Sequence, residues 1–403
     1  MTVPFDPPKL LTARRHIGFV DVPNDLVDKP IEVPAALNGS LERVTSDNST
    51  VPSPIALKRS QTMTGSIIVI EDNEGDKPNQ AFWLARKIEK NVHGVTRVGY
   101  KLRRNTREEL KNSNGTWELD IDESCVHPLV TIKIVHTKIL DDSNSSENDM
   151  MSFLQMIGNE NSKDTHVDGT SIVATCADHI YIVLPYHRDG CLGAYCRLHG
   201  NLDEPVARFL FCQVLQGMKT LQNHGLCHRD LSLDAVSLDG DHVSITESRF
   251  PVRCKTAASG DSRQTPPTPA GSRVQYIAPE YFRGDEGAWN GYAADLWACG
   301  LILYSMVIGA DALFLAPVDD DRTFVKLCLK GQIRSLASTY GELIGETIEL
   351  SDDLVDLLQK MLKVDPKDRL SLSNIVEHPW VANGEFMTPS EWEAEKKEEK
   401  SHN

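Results

Sequence analysis

The sequence predicts an α+β chain with its strands gathered ahead of its helices, and three observations carry that prediction. Between Phe82 and Tyr186 the apolar residues fall in short β-branched runs, such as Leu129-Val130-Thr131-Ile132-Lys133-Ile134-Val135, a composition that favours strands. From Glu204 onward they recur at helical spacing: Val206, Leu210, Val214, Met218 and Leu221 share one face of a helix that Gly225 ends. Between these regimes lie residues 226–249, where His228-Arg229-Asp230 leads into two apolar alternations joined by Asp239-Gly240-Asp241. That joint is a hairpin turn, because glycine accepts positive φ.

Composition narrows the function. The 403 residues have room for two or three lobes and a sizeable core. A net charge of -16, from 42 Lys and Arg against 58 Asp and Glu, argues against nucleic-acid binding, which needs clustered cations. No apolar run follows Arg14-Arg15, so no signal peptide is expected. The longest uncharged apolar run, residues 296–310, falls short of the roughly 20 residues a membrane span needs and reads as a buried helix. No nucleic-acid or membrane partner is therefore expected, and the cytoplasm or nucleus is the predicted compartment. Nine cysteines without a CxxC pair argue against zinc or a disulfide framework and fit reduced, buried thiols.

Taken in order, residues 1–80 carry Pro and Ser/Thr clusters and predict a largely disordered extension. The exception is Ser66-Ile67-Ile68-Val69-Ile70, which has the composition of an edge strand. Trp83 to Ile88 and Val95 to Leu102 read as two strands joined through Glu89, Asn91 and Gly94, and Asn114-Gly115 marks a further turn. After the 129–135 strand, residues 148–157 read as a helix, and the acidic run before it as an N-cap rather than a calcium loop. Ile180 to Tyr186 is another strand. Residues 250–272 form a Ser-, Thr- and Pro-rich loop in which Thr265 and Thr268 each precede Pro, which keeps them extended. Ser351 N-caps a helix whose Leu354, Leu357, Leu358, Met361 and Leu362 face inward, with Asp352 and Asp353 complementing its dipole. The tail 385–403 reads as a Glu/Lys-rich helix with almost no apolar face, expected to be solvated.

The order of the motifs resembles the serine/threonine protein kinases, nearest in style to the calmodulin-dependent group. His228-Arg229-Asp230 stands where those enzymes carry HRD. Ala278-Pro279-Glu280 matches APE, Asp295-Leu296-Trp297-Ala298-Cys299-Gly300 matches DxWxxG, and Arg369 and His378-Pro379-Trp380 follow in family order. The resemblance implies a two-lobed fold over residues 81–384, with a small, mainly β lobe at 81–186 and a larger, mainly α lobe at 187–384.

Residue by residue, it implies that Asp230 occupies the position of the catalytic base and that Lys133 holds the α- and β-phosphates. Gly94 matches the third glycine of the phosphate loop, with Glu89 and Asn91 in place of the first two. An ordinary hairpin with one turn glycine explains Gly94 equally well. Leu184 would be the gatekeeper, and Tyr186 would lie beside an adenine. Met150 stands where the lysine's glutamate partner is usual. Arg229 would order a phosphate on Thr265 or Thr268, and Glu280 and Arg369 would form a buried ion pair, with Asp295 as a further structural carboxylate.

The metal ligands depart from the family. Ala235 replaces the Asn and Glu247 the Asp that hold magnesium, leaving Asp234 as the nearest substitute oxygen, and Ser232 replaces a common lysine. ATP is the implied cofactor, with magnesium coordination impaired. The expected function is therefore a pseudokinase that regulates or scaffolds protein partners in phosphorylation signalling, with weak or absent ATP binding. The alternative is a slow or atypical serine/threonine kinase acting on protein substrates through Lys133, Asp230 and Glu247.

Overall fold

Two units, each with its own core, make up the chain: Met1–Ile139 joined by Thr170–Tyr186, and Leu140–Gly169 joined by His187–Asn403. The computed structural model describes residues 17–20, 67–70, 80–91, 94–104, 117–119, 129–136, 165–169, 172–176, 179–246, 252–253, 273–283, 290–309 and 314–402. The first unit is β-rich and the second mainly helical.

The β-branched runs of the first unit pair into one antiparallel sheet. Its strands are β1 (Ile17–Val20), β2 (Ile67–Ile70), β3 (Gln80–Asn91), β4 (Gly94–Arg104), β5 (Trp117–Leu119), β6 (Leu129–His136), β7 (Ile172–Cys176) and β8 (His179–Pro185). Their order is β1-β2-β3-β4-β6-β8-β7, with β5 alongside β4. Ile68, Phe82, Leu84, Ile132, Ile172, Tyr181 and Val183 form the core. On β4, Gly99 leaves the room that the Ile132 side chain fills. Trp83 and Tyr100 face each other across β3 and β4 with ring centroids 5.2 Å apart, a cross-strand pair that fixes the register. The 66–70 run is not an edge. All four residues of β1 pair with β2 on the side away from β3.

In the second unit the helical-period stretch becomes helix α2 (Glu204–Asn223), preceded by α1 (Leu192–His199). Strand β9 (Leu226–Cys227) and the hairpin β10 (Val236–Asp239) and β11 (His242–Ile245) follow. Strand β12 (Val252–Arg253) pairs antiparallel with β9. After α3 (Pro279–Arg283), α4 (Gly291–Ile308) carries the long apolar run and is buried along nearly its whole length, with Trp297 and Tyr304 fully enclosed. Asn290 caps it by accepting from the Tyr292 and Ala293 N–H groups. Helices α5 (Ile333–Ile344), α6 (Asp352–Met361), α7 (Leu372–Val376), α8 (Pro379–Ala382) and α9 (Pro389–His402) complete the unit. The Ser351 Oγ accepts from Leu354 N–H at 3.2 Å, the N-cap bond that opens α6.

Two expectations need correction. Cys227 is disulfide-bonded, where the sequence predicts reduced thiols. It sits fully buried on β9, and spacing along the chain does not by itself reveal a bridge; Cys191, Cys196, Cys212, Cys299 and Cys328 are free thiols, as expected. The tail is a helix with Glu391, Ala394, Glu395, Lys397, Glu398 and Glu399 exposed, but it is anchored at one point: Trp392 is 4% exposed, and its Nε1 donates to Asp203 at 2.7 Å. A lone indole creates no periodicity, so it leaves no pattern in the sequence.

Candidate active site

Strand β9 delivers the chain to His228 and Arg229, and Asp295 on α4 fixes what comes next. Its carboxylate accepts the His228 N–H at 2.7 Å and the Arg229 N–H at 2.8 Å. Arg229 has φ of 66°, a left-handed conformation disfavoured for a residue with a Cβ, and the two hydrogen bonds to Asp295, from its own N–H and that of His228, hold it there. Burial pushes the Asp295 carboxyl up to about 7, against the two N–H groups and the Arg229 charge, which favour the ionised form. The His228 ring is buried and bonded to the Thr246 carbonyl at 3.1 Å.

A 3₁₀ turn, Leu233–Ala235, carries the loop into the hairpin. The Ala235 carbonyl accepts from both the N–H and the hydroxyl of Thr246, at 2.9 and 3.1 Å, so the hairpin's far end is tied back to Ala235. Glu247, the next residue, lies outside the described residues. Asp230 is half-buried, its N–H bonded to His228 Nδ1 at 3.3 Å, and it lines a recess with Arg229, Arg273, Tyr276, Tyr281 and Asp295.

Asp234 faces cations. Arg273 Nη2 donates to its Oδ2 at 2.6 Å, and Arg197 Nη2 reaches its Oδ1 at 3.4 Å. The Cys191 thiol donates to the same Oδ1 at 3.2 Å. Arg273 Nη1 meanwhile donates to the Ser232 hydroxyl. One guanidinium thus spans Ser232 and Asp234. Arg273, Arg197 and Cys191 were not legible as site residues, because each is a single polar residue whose partner is remote in sequence.

Of the small-unit residues, Lys133 sits half-buried on β6 between Thr96 of β4 and Ile182 of β8. Gly94 pairs with Val135, two residues further along β6. Its φ is 155°, and a Cβ there would run into the Ile134 carbonyl oxygen. Sheet geometry alone therefore demands glycine at this position. Leu184, buried on β8, lies opposite Thr131, and the half-buried Tyr186 closes the unit. Lys133, Gly94 and Leu184 accordingly share three neighbouring strands.

Arg369 and Glu280 meet in a bidentate pair at 2.9 and 3.0 Å. Arg369 also donates to the Ala293 carbonyl at 2.6 Å and the Lys363 carbonyl at 3.0 Å. Met150, Thr265 and Thr268 lie outside the described residues.

Residues 124–381 match the family model described as "Protein kinase domain". The chain is similar to serine/threonine-protein kinase SRK2F of Arabidopsis thaliana, 30% identical over 218 residues, which are 53% of this chain and 57% of that protein. It is similar to serine/threonine-protein kinase SAPK1 of Oryza sativa subsp. japonica, 33% identical over 205 residues, or 50% of this chain and 55% of that one. To the maternal embryonic leucine zipper kinase of Danio rerio it is 31% identical over 234 residues, covering 58% of this chain and 31% of that protein. The chain spans about half the length of the first two relatives and about a third of the third.

Proposed function

The chain belongs to the protein kinase domain family, and from that premise we propose that it is a pseudokinase, a kinase-fold regulator or scaffold for protein partners in phosphorylation signalling. Kinase chemistry rests on ATP and magnesium, with the protein supplying position and charge neutralisation. The described residues do not fit the metal. Ala235 has no side-chain oxygen, and Asp234 carries a guanidinium on each of its carboxylate oxygens. Magnesium demands near-octahedral oxygen ligands, and a carboxylate saturated by two arginines offers it little. The Arg273–Asp234 contact is the observation that carries the reading. On this reading ATP binds weakly or not at all, Lys133 makes the main phosphate contact, and Glu247 alone does not restore the metal. The net charge of -16 favours protein partners over nucleic acid.

A slow serine/threonine kinase is the second reading. Asp230 and the cationic Arg273 line one recess, and the relatives are named as serine/threonine kinases. Thermal melts with ATP, with and without magnesium or manganese, separate the two. The pseudokinase gives a small shift that metal does not change. A metal-dependent shift, together with phosphate transfer to a generic protein substrate that disappears in Asp230→Asn, establishes the kinase instead.

A further inference from the structure

Helix α1 carries two sets of contacts on opposite sides. Residues 193 and 197, one turn apart, face Asp234: Arg197 Nη2 lies 3.4 Å from its carboxylate, and Gly193 has no room for a Cβ because that carboxylate is already there. Cys191, which caps α1 by accepting the Ala194 N–H, donates its thiol to the same oxygen. Residues 195 and 199, roughly 200° around the helix from that face, meet the C-terminal helix α9. The Tyr195 hydroxyl donates to Glu393 Oε1 at 3.2 Å, and His199 Nε2 lies 3.7 Å from the same oxygen. The His199 ring sits 4.3 Å from Tyr195 and 5.7 Å from Trp392, centre to centre.

We propose that α9 is a strap that sets the loop bearing Asp230 and Asp234, acting through α1. The strap is held by little. Its one large apolar side chain is Trp392, buried against Asp203, and Lys396 reaches Asp203 at 3.5 Å. Near its start, the Ser390 N–H donates to Asp241 in the turn between β10 and β11. A 14-residue helix fastened by one indole and a few polar contacts belongs to the low-stability end of a structure. The other end of the relay is rigid. Leu192 and Cys196 bury α1 in the unit, so a two-turn helix cannot shift residues 195 and 199 without shifting 193 and 197. Docked, the strap keeps Arg197 and the Cys191 thiol on Asp234; undocked, it loosens both. Because such coupling is reciprocal, loosening Asp234 also loosens the strap.

The inference rests on the reading of this loop as the altered active-site loop, and its test needs neither nucleotide nor phosphate transfer, so either idea fails without the other. Hydrogen exchange is measured on the full chain, on Trp392→Ala, and on a chain ending at Met387. Both variants are expected to exchange the amides of 191–199 and 232–236 about fivefold faster or more, with α6 at the parental rate. Arg197→Ala is expected to accelerate exchange across 389–402. Parental rates at 232–236 in either tail variant overturn the proposal, as does an unchanged 389–402 in Arg197→Ala. A shortened chain that does not fold overturns it too, because α9 is then part of the core and not a strap.

Discussion

Arg369 grips Glu280 with both terminal nitrogens, and neither side chain reaches solvent, at 0% and 2% exposure. The pair joins α3 to the segment between α6 and α7, and the Arg369 guanidinium also stands 5.2 Å over the Trp297 ring. Removing one partner of such a pair strands a buried charge. Arg369→Ala is expected to lose about 3–5 kcal/mol of stability, visible as a lower midpoint in urea. An unchanged midpoint would disprove the stabilising role of the pair.

Asp295 predicts a pH signature. Its folded value of about 7 stands above the ordinary 3.8, so the folded state binds the proton better than the unfolded chain. Stability from this group is full below about pH 4 and is lost as pH rises toward 7, by about 4 kcal/mol. Asp295→Asn should lack that slope, so the difference between its stability–pH curve and the parent's should change between pH 4 and 7. Parallel curves between pH 4 and 7 would refute the assignment.

Gly94 separates a sheet requirement from a phosphate requirement. Gly94→Ala places a methyl group on the Ile134 carbonyl and should destabilise the protein by about 1–3 kcal/mol. The loss should be the same with and without ATP. A variant that melts like the parent but loses nucleotide binding would point to the phosphate role instead.

Restoring the family's oxygens tests the metal argument. Ala235→Asn with Glu247→Asp should make stabilisation by ATP depend on magnesium, and Arg273→Gln added to them should enlarge the effect by freeing Asp234. Lys133→Ala should abolish nucleotide binding in every background. A triple variant whose ATP shift remains indifferent to magnesium would show that more than these ligands is missing.

What was legible in the sequence was whatever repeats. Strand β6 announces itself by β-branching, α2 by its helical period, and the β10–β11 hairpin by Asp239-Gly240-Asp241. The ordered motifs from His228 to Trp380 gave the two-lobed fold through their resemblance. What escaped was pairwise and remote. Ile17–Val20 has four residues and too little pattern to predict its pairing with β2. Trp392 is one side chain in a polar helix. The Arg273–Asp234 contact spans 39 positions, and nothing local to either residue points to the other. Asp234 was readable as an open carboxylate near the metal position only because its two arginines were invisible.

The way the chain is shared between the two units also dictates when each can finish. Strand β8 completes the β6 edge of the sheet, yet it arrives only after residues 165–169, which belong with the other unit. Those residues must in turn wait for β11. Asp168 donates its N–H to the Ile245 carbonyl, and the Ile245 N–H donates to the His166 carbonyl, both at 2.8 Å. During synthesis from the N-terminus, the early sheet therefore emerges with an open edge, and nearly 80 residues are made between Val167 and its bridge partner Ile245. An open edge invites another chain to pair with it. Because the two units interleave along the chain, cutting the gene at a single point cannot yield both of them intact.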